Sequence, residues 1–329
     1  MTRTPLRVRG LGALAALVVL CLPGMAVSQP AATSAVASVV TTEAEASCGI
    51  ERSVSRSGAM RPVDWRTARY KASKLFLTAR TEVVLAPLPP PQARAQLQAC
   101  PGQCVEGLAP HGATWAISFD ASFVGRRSTE TVHFDAADGR SLQRVKRRHG
   151  SDAYAKLYRF AEQGVAYRRS SPATESEKDL EPPRWTKGHT DWIGEPADAA
   201  GCPVVSPAAL FYLLSAYPWD RGDGFELCVF TNKAYSRLAA RKVGTERHQP
   251  RGDVAAALGL GDAPIEALQV DLVASTFDGS DPTEKFELMG LEGDIRMLLD
   301  PRTGIPLQFR GDLSSLGSVE VTLERVGFE

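Results

Sequence analysis

The chain has no excess of either charge: 38 lysines and arginines are balanced by 38 aspartates and glutamates. It therefore lacks the basic footprint that a nucleic-acid surface requires. Its N-terminal apolar run, from Leu11 to about Leu22, stops at Pro23-Gly24, short of the ~20 residues a membrane-spanning helix needs. It has no G-x-S-x-G elbow, no phosphate loop and no G-x-G-x-x-G. None of its five histidines, His111, His133, His149, His189 and His248, stands in a metal-binding pair. No residue set calls for a metal or a cofactor, and no catalytic constellation is expected. No repeat of solenoid length is visible.

What is present begins with an export pattern. Arg3, Arg7 and Arg9 precede the apolar run, and Ala26, Val27 and Ser28 supply small residues for cleavage. This is the layout of a secretory signal peptide over 1–28, and it predicts a periplasmic protein. A lipid anchor at Cys21 is disfavoured by the large Leu20 before it, and the separated arginines do not make a twin-arginine signal. Cleavage removes three arginines and no acid, leaving the mature chain mildly acidic. Residues 29–60, rich in Ala, Ser, Thr and Val, read as a flexible segment, and 61–329 as one domain.

Five cysteines follow the leader: Cys48, Cys100, Cys104, Cys202 and Cys228. In an oxidising compartment disulfides are the default, but sequence does not choose among the pairings. The preferred pairs are Cys100–Cys104 around Pro101-Gly102 and Cys202–Cys228, with Cys48 left over.

Strands dominate the expected structure. The clearest covers Thr114 to Phe123, where Trp115, Ile117, Phe119, Ala121 and Phe123 alternate with polar residues. Others are expected at 75–85, 129–135, 141–148 after the Asp138-Gly139 turn, 154–160, 165–169, and in several short pieces from 225 to 323. Residues 170–200, broken by four prolines, read as a long insert leaving the sheet. A short helix is expected near Gln92–Ala99, and one well-defined helix follows a Ser206 cap and Pro207, running from Ala208 to Tyr217 until Pro218. The predicted fold is mainly β: a curved antiparallel sheet or open barrel with one well-defined helix.

Three segments carry a resemblance. They are TWAISFDASFVGRRSTETVHFDAADGRSLQRVKRR, VVSPAALFYLLSAYPWDRGDGFELCVF and GDIRMLLDPRTGIPLQFRGDLSSLGSVEVTLERV. Their order and spacing resemble the domain of unknown function 3108 family of exported Gram-negative proteins, over about 250 residues. The long insert and the Cys100–Cys104 turn depart from it. The resemblance implies a periplasmic protein with a curved antiparallel sheet, and no catalytic residues.

Two features suggest binding. The aromatic strand face, Trp115, Phe119, Phe123 and Phe134, is either core or the lining of a cavity. The basic residues Arg126, Arg127, Arg144, Lys146, Arg147 and Arg148 lie on neighbouring strands, either as a solvated face or as a surface for an anionic partner. The candidate ligand residues are Trp115, Phe119, Phe123, Phe134, Arg144, Lys146 and Arg148. The expected function is non-enzymatic binding of an apolar or amphiphilic envelope component, such as a lipid. An alternative is an envelope assembly protein docking through Trp185 and Trp192. A hydrolase would need His133 and Asp135 to meet a hydroxyl nucleophile.

Overall fold

The computed structural model describes residues 60–74, 77–102, 106–123, 125–199, 201–260, 263–277, 285–314 and 316–328, all within the compact unit Ala46–Glu329. The expected leader, nearly all of the 29–60 segment, Cys48 and Cys104 lie outside the described residues. The protein is mainly β, built on one large open sheet. The first half is a meander of β1 (Trp65–Lys74), β2 (Leu77–Leu88), β3 (Thr114–Phe123), β4 (Arg126–Asp135), β5 (Ser141–Arg148), β6 (Tyr154–Ala161), β7 (Gly164–Ser171) and β8 (Lys187–Gly194). The second half holds β9 (Val204–Val205), β10 (Gly224–Thr231), β11 (Ala234–His248), β12 (Ile265–Ser275), β13 (Glu287–Leu288), β14 (Leu291–Leu299), β15 (Pro306–Leu313) and β16 (Gly317–Phe328).

The spatial order is β8-β7-β6-β5-β4-β3-β2-β1-β16-β15-β14-β12-β11-β10-β9, with β13 paired to β14 alone. The two halves are thus joined through the antiparallel β1–β16 ladder, where Ala68 faces Val326 and Tyr70 faces Leu323. The edges, β8 and β9, are neighbours in sequence but share no ladder. Side chains of the β10 hairpin reach the first half instead: Lys233 Nζ, after β10, reaches Asp191 of β8 at 2.5 Å, and Phe230 of β10 packs on Tyr158 and Phe160 of β6.

The helix forms where Pro207 and the following apolar run predicted it: a 3-10 turn (Pro207–Ala209) runs into α2 (Leu210–Ala216). Every residue of α2 is buried, because strands of both halves pack on it. Phe211 meets Tyr70, Phe119 and Phe309, while Tyr212 meets Trp115 and Phe134. Trp65 Nε1 donates to Ser215 Oγ at 3.1 Å. Two turns press against it. Gly139 has φ +75° and would place a Cβ 2.5 Å from Leu213; Gly304 has φ +70° and would place one 2.3 Å from the Ser215 carbonyl. Only glycine serves there, since both the conformation and the approach forbid a side chain. Ser206 does not cap the helix as expected: its side chain makes no cap bond, and its N–H donates to Ser141 Oγ at 2.8 Å.

Two further expectations are corrected. The 170–200 segment does not leave the sheet entirely. Short 3-10 turns at Glu175–Glu177 and Pro182–Arg184 lead into β8, which pairs along its whole length with β7. Nearly all of β8 is exposed, so its sequence carries no apolar alternation, as suits a protected edge strand. Cys100, in turn, is a free thiol, so the Cys100–Cys104 bridge is not formed. Pro101-Gly102 instead buries Pro101 and runs Gly102 beside Thr190. Cys202–Cys228 is formed, with Cα atoms 5.9 Å apart. It fastens the β9 edge to β10, and closing a loop of that length contributes about 3.5 kcal/mol in the chain-entropy account. The expected Gln92–Ala99 helix is α1 (Pro90–Gln96), starting two residues earlier. A further short helix, α3, spans Asp253–Ala257.

Candidate functional site

The face of the sheet that carries α2 changes character along its strands. At one end large side chains meet the helix: Leu85, Ile117, Val132, Trp115 and Phe134. At the other the cross-strand partners are small: Thr81 faces Ala121, which faces Ser128, and Ala72 faces Ala79. The helix does not extend there. Two cavities result, because nothing large fills the space.

The first, about 220 Å³, is apolar and lined by Ala72, Leu77, Ala79, Phe123, Leu316 and Val321, among others. The second, about 210 Å³, is lined by Phe119, Glu130, Arg144, Lys146, Glu287 and Ala208, among others. They adjoin: Thr81, Ala121 and Met289 line both. Met289 is one of the few non-glycine residues at positive φ (+55°), in the turn between β13 and β14.

The polar cavity is floored by ions. Arg144 Nη2 donates to Glu130 Oε2 at 3.0 Å. Its Nε lies 2.9 Å from Oε1, but the N–H is misdirected and makes no hydrogen bond. Lys146 Nζ stands 3.9 Å from both Glu130 and Glu287. Burial alone would raise the Glu130 carboxyl; the Arg144 and Lys146 charges outweigh it and hold the group below the ordinary carboxylate range. Burial likewise opposes the Arg144 charge, and Glu130 more than restores it.

The charges continue sideways. Glu130, Lys146, Lys156 and Arg169 stand directly opposite one another on β4, β5, β6 and β7. One residue row away, Arg148 faces Tyr154. The Tyr154 ring has three cations over it: Arg148 at 5.9 Å, Lys156 at 5.4 Å and Arg169 at 5.1 Å. Burial, then the Lys146, Arg169 and Arg144 charges, pull the Lys156 ammonium below the ordinary lysine value.

Of the expected ligand residues, the structure brings Phe119, Arg144 and Lys146 to one cavity and Phe123 to its neighbour. Trp115 and Phe134 are instead core, both packed on Tyr212; the space beneath them is solid because α2 fills it. Arg148 lies beyond the cavities, beside Tyr154. The wider basic run is divided by strand alternation: Arg127 pairs with Asp120 at 2.9 Å and Arg147 with Glu181 at 2.9 Å. Sequence reading missed the opposite wall, Met289, Leu313, Leu316, Val319 and Val321. It also missed Tyr154, Lys156 and Arg169, whose signal was alternation in two hairpin strands already recognised.

Other chemistry does not assemble. His133 Nε2 bonds Gln96 Oε1 at 2.8 Å, while burial raises the Asp135 carboxyl above its ordinary value. Trp185 is buried, donates to the Glu177 and Leu180 carbonyls, and lies under Arg147. Trp192 remains exposed on β8. Among the described residues no cluster of metal-binding side chains occurs and no helix is long and apolar enough to cross a membrane. No family model, curated protein or solved structure matches the chain.

Proposed function

We propose that this is a non-enzymatic periplasmic protein that holds an amphiphilic component of the cell envelope, its chain in the apolar cavity and its polar end at Arg144 and Lys146. The observation that carries this reading is the contact of the two cavities through Thr81, Ala121 and Met289. Each is small, but together they reach the lower end of ordinary ligand sites, about 300 Å³. A narrow apolar trough ending on fixed charges suits a single alkyl chain with a polar head. The N-terminal export pattern and the resemblance to an exported family support the location. Docking through the Trp185/Trp192 segment is a weaker reading, since Trp185 is committed to the fold and only Trp192 is free.

The test is titration of the purified protein with a fluorescent single-chain fatty acid. Saturable binding is expected for the wild type. Ala121→Trp, which fills the junction, should weaken it at least about tenfold, because excluding two methylenes at about 0.8 kcal/mol each already has that effect. Circular dichroism should show an unchanged fold. No saturable binding to the wild type, or equal binding to a folded Ala121→Trp variant, would remove the reading.

A further inference from the structure

Arg148, Lys156 and Arg169 form no ion pair with any described residue. They come from three successive strands and surround one ring. A ring has only two faces, so at least two of these cations share a side and repel each other. Lys146, Lys156 and Arg169 are also directly opposite one another, an arrangement that destabilises a sheet when the charges are alike. A cation over tyrosine is attractive, and one such contact is ordinary packing. Three on one ring, beside a like-charged row, are more than packing requires.

Two of the acids nearby, Glu130 and Glu287, are already engaged, while Asp179 lines the same hollow as Arg148 without pairing with it. Glu130 is held by Arg144, and Glu287 stands by Lys146. Glu175, near the Arg148 side, is turned to Lys178 at 2.6 Å. All three cations remain reachable: Arg148 and Lys156 are partly exposed and Arg169 is exposed. Lys146 connects them to the polar cavity, being its wall on one side and the cross-strand neighbour of Lys156 on the other.

We infer that the polar end of the amphiphile runs past Lys146 and ends in a phosphate monoester bound by Arg148, Lys156 and Arg169. This rests on the amphiphile reading and adds the class of head group. A phosphate monoester carries up to two charges and offers three terminal oxygens, enough to accept from several donors at once. It relieves the repulsion among the cations, which a neutral or zwitterionic head does not. Arginine on two sides and lysine between them match that acceptor set.

The experiment compares four probes by calorimetry, below the micellar concentration: dodecyl phosphate, dodecyl phosphocholine, dodecanol and inorganic phosphate. Dodecyl phosphate is expected to bind at least about tenfold tighter than dodecyl phosphocholine, as charge-assisted hydrogen bonds imply, and the preference should shrink with salt. Lys156→Gln/Arg169→Gln should abolish the preference yet still bind dodecyl phosphocholine. Arg127→Gln/Arg147→Gln, the same charge change at the acid-paired cations, should keep it. If the Lys156→Gln/Arg169→Gln variant does not fold, Arg169→Gln alone replaces it. Equal wild-type affinity for both dodecyl ligands overturns the head-group inference and leaves the chain site standing. Failure of all three dodecyl probes overturns the amphiphile reading itself. Inorganic phosphate binding as tightly as dodecyl phosphate means an ion site independent of the chain, which also overturns the inference as stated.

Discussion

Glu130 and Arg144 show how a single pair supports both fold and site. Both side chains are nearly enclosed, 15% and 10% exposed, so each depends on the other for its charge. Removing one partner of a buried pair leaves an uncompensated charge, a cost of about 3–5 kcal/mol. Glu130→Gln should therefore lower stability by about that much in urea denaturation. Glu130→Gln/Arg144→Met should recover much of it, since replacing both partners by neutral groups removes the stranded charge. The pH dependence has a definite sign. The folded carboxyl lies below its ordinary range, so its contribution is complete above the unfolded value of about 4.3. It is lost as pH falls through the lower folded value. Wild type and Glu130→Gln should differ at neutral pH and converge in acid. A constant difference across that range would show that the carboxylate charge is not what stabilises the site.

At the scale of elements, β16 has the least replaceable position. It lies between β1 and β15, carries Val319, Val321, Leu323 and Val326 inward, and alone joins the two meanders by a ladder. Burying four such side chains contributes about 6 to 12 kcal/mol at about 1.5 to 3 each, comparable with the whole net stability of about 5–15 kcal/mol of a domain. Deleting residues 317–329 should yield insoluble protein, because it exposes the facing edges of β1 and β15. A soluble product with a cooperative melt would show that β16 is dispensable. The alternation that makes this strand important is plain in its sequence, as it is in β3. Elsewhere it is hidden. In β1 a bulge lies between Trp65 and Thr67, and basic residues fall between its buried ones. In β11 the second half, from Arg241 to His248, is half-exposed with no apolar inner row. The site was half legible for the same reason. Phe119, Phe123, Arg144 and Lys146 belong to strands adjacent in sequence and in space. The opposite wall comes from β15, β16 and the Met289 turn, more than 140 residues away, and only the β1–β16 pairing brings it near.

For the molecule as a whole, the sheet order makes a specific demand. β1–β8 and β9–β16 each run as a near-continuous meander, and the chain passes between them only at the edges, from β8 to β9. That connection carries no ladder, whereas the β1–β16 ladder and the buried helix join the halves elsewhere. The Cys202–Cys228 bridge lies wholly in the second half, so it does not tether one to the other. A cut in the connection should leave the protein assembled. The first half, expressed alone, should fail: Trp115, Phe119 and Phe134 would lose Phe211 and Tyr212, which belong to the second half. A protease site inserted between Pro196 and Asp198 provides the measurement. After cleavage the two fragments should co-elute on a sizing column and melt in one transition, while residues 60–198 alone should be insoluble or lack a cooperative melt. Dissociation on cleavage would show that the β8–β9 connection, rather than the β1–β16 ladder and α2, holds the halves together. A stable, soluble first half would show that the helix is a guest in a sheet that folds without it.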